Sequence, residues 1–419
     1  MLLHLLAALA AVVLLGRLLG RLFRGIGQPP VIGEVVAGIV LGPSLLGHFW
    51  PDAYAFILPQ SVAPSLGLLS QLGVVLYMFL VGVELDTDVL RGQLRTTAAI
   101  ALTSMAVPFA LGLWLATALF PRFAPDGVTF THFSLFVGVA MSITAFPVLA
   151  RILTDRGISK TPLGRLALTC AAIGDVAAWC LLAFVVGIVQ RKQGGAWLAT
   201  ALTLAFIGFM FVAIRPLILG LLARWDDRQR SDGALAMALV AVLFSALATE
   251  AIGVHAIFGA FLLGAVIPHH SGLASLLKDR IEGLVTILLL PAFFAFAGMR
   301  TEISLLSDVN AWLTCGVIVL VATGGKFGGA LLAARLARYR WREAAALGIL
   351  MNTRGLMELI VLNVGLDLGI ISPALFTMMV VMALVTTMAT GPLFAALQGS
   401  GVTEAVPRRG IVESPSHLR

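Results

Sequence analysis

The sequence predicts an all-α protein that crosses a membrane many times, and three observations predict it. Hydrophobic residues make up 59% of the 419-residue chain and charged residues only 12%. A soluble domain carries about 25% charged residues and needs them to cover its water-facing surface. Apolar runs of roughly 20 residues recur from end to end, each long enough to cross a ~30 Å hydrocarbon core as a helix. The runs are continuous, not short and alternating. They therefore suit helices, which close their own backbone hydrogen bonds in lipid, and not the strands of a barrel.

Taken in order, spans are expected at about 2–24, 29–48, 65–85, 96–120, 131–153, 163–190, 197–222, 233–250, 253–268, 281–299, 310–334, 342–366 and 371–397, about thirteen in all. The first ends on Arg17, Arg21 and Arg24. A cleavable secretory leader carries its positive charge before its apolar core, so this segment reads as a retained helix. Short polar or Gly/Pro turns separate the spans, so residues 1–397 form one transmembrane domain. A short basic tail at 398–419 follows and is expected to be disordered and cytoplasmic.

The charges set the orientation. Alternating spans bring most of the 28 Lys and Arg residues to one side, while Arg122, Arg191, Lys192 and Arg300 fall on the other. Arg215, Lys326 and Arg354 lie within spans. By the positive-inside rule the N-terminus is outside and the C-terminus cytoplasmic. The net charge of +7 is then explained by loops facing anionic headgroups, with no nucleic acid required. A compact chain of this kind fits a prokaryotic plasma (inner) membrane. An odd span count around a lone middle helix permits an inverted repeat of two six-helix halves, a common transporter plan with its site at the midplane. In that scheme helix 5 matches helix 12. Cys170, Cys180 and Cys315 all lie in apolar runs and read as small buried hydrophobes. No phosphate loop, metal cluster, nucleophile motif or cofactor motif occurs, so an enzyme is not expected.

Ionisable residues deep in a bilayer are costly and mark function by default. Asp175, in LTCAAIGDVAAWCLLAF, lies about 11 residues into its span, or about 16 Å from its end at 1.5 Å per residue. Desolvation there favours the protonated carboxyl, and a dehydrated monovalent cation favours the carboxylate. Proton and cation therefore compete for one site. If that site opens alternately to each side, the competition becomes exchange. Lys326, in TGGKFGG, can pair with Asp175 when no cation is bound, or can snorkel toward the interface. Arg354 and Glu358 are four apart and can pair, either as part of the site or as structural glue.

Two helix breaks are expected near the midplane. In MSITAFPVLARIL, Pro147 cannot donate a backbone hydrogen bond, so the helix should open near Thr144, Ala145 and Phe146. Freed carbonyls and the Thr144 hydroxyl would offer hard oxygen ligands to a cation. In MNTRGLMELIVLNVG, residues Asn352, Thr353 and Gly355 suggest a second break at the matching place in the other half. Weaker candidates are Glu34, read as reaching a funnel or the interface, and His255 with Glu250, read as solvated or helix-capping. Glu84, Asp86 and Asp88 read as a solvated boundary.

Four phrases then resemble a known family. They are QPPVIGEVVAGIVLGPSLLG, FLVGVELD, HAIFGAFLLGAVIP and MNTRGLMELIVLNVG. Together, and in this order, they resemble the monovalent cation:proton antiporter superfamily, in the branch of Kef-type potassium efflux systems and plant cation/H⁺ exchangers. The resemblance implies a core domain and a dimerisation domain, a homodimer, two broken helices crossing at the midplane, and elevator-like alternating access. Asp175 looks like the family's ion-binding aspartate and Lys326 like its core basic residue. Thr144–Pro147 and Asn352–Glu358 fall on the crossing helices. One departure stands out. Family members often carry Asp, Asn or Gln before that aspartate, and this chain has Gly174. With a single carboxylate, one Na⁺ or K⁺ for one H⁺ is the simpler expectation. Titration of Lys326 would leave electrogenic exchange open. Because the chain ends soon after its last span, the nucleotide-binding domain of many Kef-type proteins is not expected. Two other readings remain: a Kef-type K⁺ efflux channel-like protein, and a sodium-coupled symporter of an organic solute on a related fold. A channel should show a carbonyl filter, and no TVGYG-like segment occurs. A symporter should show a larger polar midplane pocket.

Overall fold

The computed structural model describes residues 2–84, 94–189, 196–223 and 232–398, and no strand occurs among them. Asp86, Asp88, Arg91, Arg191, Lys192, Arg224, Arg228, Arg230 and the tail beyond Gln398 lie outside the described residues. The main helices are α1 (Leu2–Gly25), α2 (Pro30–Leu41), α3 (Ala63–Glu84), α4 (Leu94–Phe123), α5a (Phe130–Ser142), α5b (Phe146–Asp155) and α6 (Pro162–Val189). Next come α7 (Ala196–Phe209, running through a π-helical turn Met210–Ile214 into Arg215–Ala223), α8 (Asp232–Ile252) and α9 (Ala256–Val266). The last are α10 (Gly272–Leu284, through a π-helical turn Val285–Leu289 into Leu290–Met299), α11 (Val309–Leu336), α12a (Trp341–Met351), α12b (Leu356–Asp367) and α13 (Pro373–Gln398).

Among the described residues, 11 helices are long and apolar enough to cross a membrane, or up to 12 with the bent pair α12a–α12b counted as one span. The expected helix at 253–268 is shorter than expected: α9 covers Ala256–Val266, 11 residues or about 16 Å at 1.5 Å per residue. Its limits are local. Gly253 turns the chain at φ +90° after α8, and Ile267 is extended because Pro268 follows it. The expected helix at 281–299 begins earlier, at Gly272, where Ser271 caps it by accepting from the Ala274 N–H at 3.1 Å.

The helices pack as two bundles. One joins α1, α2, α3, α8, α9 and α10, and the other joins α4, α5, α6, α11, α12 and α13, while α7 touches α6 and α8 between them. Each bundle thus takes three consecutive helices from each half of the chain. The first bundle is held by glycine crossings. A Cβ on Gly82 of α3 would sit 2.2 Å from the Phe261 carbonyl oxygen, and one on Gly264 of α9 would sit 2.2 Å from that of Phe79. Bare glycine lets these backbones touch, which is how helices associate where lipid removes the hydrophobic drive. Large apolar side chains such as Leu14, Val212 and Leu336 are exposed on the outer surface, as hydrocarbon-facing positions require.

Candidate ion-binding site

Both expected breaks are present, and they meet. α5a ends at Ser142 and α5b starts at Phe146, so Ile143, Thr144 and Ala145 are unwound. The opening lies slightly before the expected Thr144–Phe146. Pro147 occupies the first turn of α5b, where its missing N–H costs nothing. It starts the second half-helix and does not interrupt one. In α12 the break covers Asn352–Gly355, and the two halves are bent by 46°. Gly355 has φ +150°, and a Cβ there would meet Val148 Cγ2 of α5b at 2.9 Å, so glycine is required on both counts. The breaks bind each other directly. The Ala145 N–H donates to the Thr353 carbonyl at 2.9 Å, and the Thr144 hydroxyl donates to the Met351 carbonyl at 3.0 Å.

Two buried cations close one side of this crossing. Arg354 is 0% exposed. It donates to the Ala140 carbonyl at 2.9 Å, to the Met141 carbonyl at 2.6 Å and to Glu358 at 2.9 Å. Lys326 is also fully buried, and its ammonium donates to the Ser142 carbonyl. The last three carbonyls of α5a, the negative end of a helix dipole, are therefore covered by positive charge. The expected Arg354–Glu358 pair is made, although Arg354 lies in the break and not on the helix. The expected Lys326–Asp175 ion pair is not closed: the Lys326 ammonium bonds the Ser142 carbonyl and acts on the Asp175 charge without direct contact. The physical reason is proximity to orphaned helix-end carbonyls, which only the fold reveals.

Asp175 sits on α6 beside this crossing and is 3% exposed. Lys326 and the amide of Phe146, the first residue of α5b, lie close enough to act on its charge. Neither carboxylate oxygen closes a hydrogen bond, and the Asn352 Oδ1 and Glu358 Oε1 atoms are likewise buried without a partner. Buried polar atoms are normally satisfied, so each of these unpartnered oxygens calls for a ligand. All of them are hard oxygen donors. Gly174, the preceding residue, is buried, and an added Cβ would meet Met105 Sδ at 3.7 Å, an ordinary van der Waals contact.

The structure thus brings Asp175, Thr144, Ala145, Phe146, Pro147, Lys326, Asn352, Arg354 and Glu358 to one crossing, with Gly174 alongside. Sequence reasoning missed Ser142, whose carbonyl holds Lys326, and Thr387 of α13, whose hydroxyl accepts from the Arg354 N–H at 2.9 Å. The run of hydroxyls at Thr386, Thr387 and Thr390 in an otherwise apolar helix was the available signal. Other candidates lie apart. Glu34 packs on Gly16 of α1 near Arg17. Glu250 and His255 accept from the first N–H groups of α9, at 2.8 Å and 3.5 Å, and cap it. Glu84 pairs with Lys278 at 2.5 Å. Cys170 and Cys315 are buried as expected, but Cys180 is exposed on α6.

The chain is similar to known proteins along nearly its whole length. The family model "Sodium/hydrogen exchanger, transmembrane" matches residues 9–397. The Na(+)/H(+) antiporter NhaS4 of Synechocystis is 44% identical over 395 residues, 94% of this chain and 96% of that protein. The K(+)/H(+) antiporter 1 of Saccharomyces cerevisiae is 36% identical over 381 residues, 88% of this chain but 44% of the yeast protein. This chain likewise spans about half the length of several Arabidopsis cation/H(+) antiporters it matches. The sodium proton antiporter MjNhaP1 of Methanocaldococcus jannaschii, 13% identical, shares the fold with a TM-score of 0.67 over 96% of this chain and 98% of that one. The chain belongs to the sodium/hydrogen exchanger family of multi-pass membrane transporters.

Proposed function

We propose that this protein exchanges a monovalent cation, Na⁺ or K⁺, for H⁺ by alternating access, with Asp175 as the site where the two compete. The observation that carries this reading is a buried carboxylate without a hydrogen-bond partner, placed where two broken helices cross. A bare carboxylate in a low-dielectric site must take up either a proton or a cation. The Thr144 hydroxyl has given its proton to Met351, so its lone pairs remain free for a cation. The antiport activities for which relatives are named, sodium/proton and potassium/proton, support the same substrate class.

Residues 1–397 act as one transport domain, with 398–419 as a short tail. The bundle of α4–α6 and α11–α13 carries the site as a moving core. The bundle of α1–α3 and α8–α10 is its scaffold and holds two copies together as a dimer. The two halves of the chain form an inverted repeat, a reading supported by three helices from each half entering each bundle. The protein resides in the plasma (inner) membrane with its N-terminus outside and C-terminus in the cytoplasm. With Gly174 beside a lone aspartate and Lys326 bound to a carbonyl, one cation exchanges for one proton.

Reconstitution in proteoliposomes with a pH-sensitive dye tests this. Adding Na⁺ or K⁺ should move protons in the native protein and not in Asp175→Asn. Rapid cation flux without proton movement would overturn antiport in favour of a channel.

A further inference from the structure

We infer that Arg300, Asp367 and Asn363 form a latch that joins the two bundles at one face of the membrane and must open before the Asp175 site can reach that face. The inference rests on the alternating-access reading above.

Arg300 caps α10 in the first bundle, and Asp367 is the last residue of α12b in the second. They form an ion pair at 2.5 Å, and Arg300 also donates to the Asn363 Oδ1 at 3.1 Å, one turn deeper. Each partner is held by its own side. The Arg300 guanidinium lies over the Phe296 ring at 4.4 Å, and the Asn363 amide donates to the Leu359 carbonyl at 2.9 Å. An aspartate at a helix C-terminus opposes the helix dipole, so local helix energetics disfavour Asp367 where it stands. Pairing with Arg300 compensates it, and that compensation exists only while the bundles are together. A second tie lies beside it, the Glu302 N–H donating to the Thr377 hydroxyl of α13 at 3.1 Å.

Beside the latch lies a mostly apolar seal. Trp179, Leu182 and Val186 of α6 face Val254, Phe258 and Val364, with the half-buried His255 imidazole as its one polar member, near enough to Asp367 to feel its charge. Trp179 is one turn from Asp175, so the seal separates the site from the latched face. On the opposite face Gln28 joins the bundles through a neutral hydrogen bond to the Met388 carbonyl at 3.1 Å. The charged contacts Lys278–Glu84 and Arg156 to the Gly391 carbonyl stay within single bundles. The latched face is therefore the one that is shut, and releasing Arg300 should bias the protein toward opening there.

The test uses the full chain with Cys170, Cys180 and Cys315 replaced and with Leu182→Cys as a reporter in the seal. A membrane-impermeant thiol reagent is applied from each side of sealed vesicles. Arg300→Gln and Asp367→Asn should each raise labelling from the latched face by roughly fivefold, the scale of losing a partly exposed ion pair. Arg300→Asp combined with Asp367→Arg should return labelling to the native rate. Asn363→Leu, which keeps the ion pair, should give a smaller rise and serves if either charge variant fails to fold. Unchanged labelling in folded variants would overturn the latch. Dye-monitored transport of the native chain is read in the same vesicles, so absence of cation-driven proton movement would count against antiport alone.

Discussion

The two helix breaks face each other across the same crossing, yet they are closed by different chemistry. The end of α5a is covered by cations, with Arg354 on Ala140 and Met141 and Lys326 on Ser142. The end of α12a is covered by neutral donors: the Thr353 hydroxyl on Leu350 at 2.7 Å, the Thr144 hydroxyl on Met351 and the Ala145 amide on Thr353. A charged donor neutralises a helix end and repels an incoming cation. A neutral donor satisfies a carbonyl without adding positive charge. On the proposed reading, oxygen ligands for a cation are expected on the α12a and Thr144 side, next to Asp175. Arg354 and Lys326 instead hold the crossing in shape.

That contrast can be broken from its strongest point downward. Asp175→Asn should abolish cation-driven proton movement while leaving the protein at least as thermostable, because it removes a buried, unpartnered charge. Dye-monitored transport and melting in detergent check both halves. Arg354→Met should give the largest stability loss, about 3–5 kcal/mol, since it leaves Glu358 as an unpaired buried carboxylate. Adding Glu358→Gln should recover part of the loss in the same melting assay. Lys326→Met strands the Ser142 carbonyl and should cost less, about 1–3 kcal/mol. A loss as large as that of Arg354→Met would show that the two cations are not the separable clamps described above.

Smaller effects sharpen the neutral side. Thr144→Val removes one neutral hydrogen bond, worth about 0.5–1.5 kcal/mol. Its main consequence should be a higher cation concentration for half-maximal transport. Unaltered cation dependence would remove Thr144 from the ligand set. Gly174→Asn should change stability least, because its Cβ would meet only the flexible end of Met105, at van der Waals distance. Its effect should appear in apparent cation affinity alone.

Much of this was legible in the sequence, and the reasons are physical. Asp175, Lys326, Arg354 and Glu358 stand out because charge in an apolar span is costly enough to need a purpose. Pro147 and Gly355 mark the breaks because each imposes a backbone rule that holds whatever surrounds it. The short α9 was not legible, because an apolar composition does not reveal where a helix stops. Neither were Ser142 and Thr387, whose roles rest on a carbonyl and a hydroxyl that any apolar helix can contain.

The sequence by itself determined the membrane class, the family and the isolated charges. Those follow from composition and local pattern, which need no knowledge of partners. Only the tertiary structure decided whom those charges serve. Lys326 binds Ser142 and not Asp175, and Arg300 finds Asp367 across the bundle boundary, 67 residues away in the chain. Such pairings are set by where helix ends come to lie in three dimensions. An orphaned helix-end carbonyl attracts a nearby cation whatever the spacing in sequence.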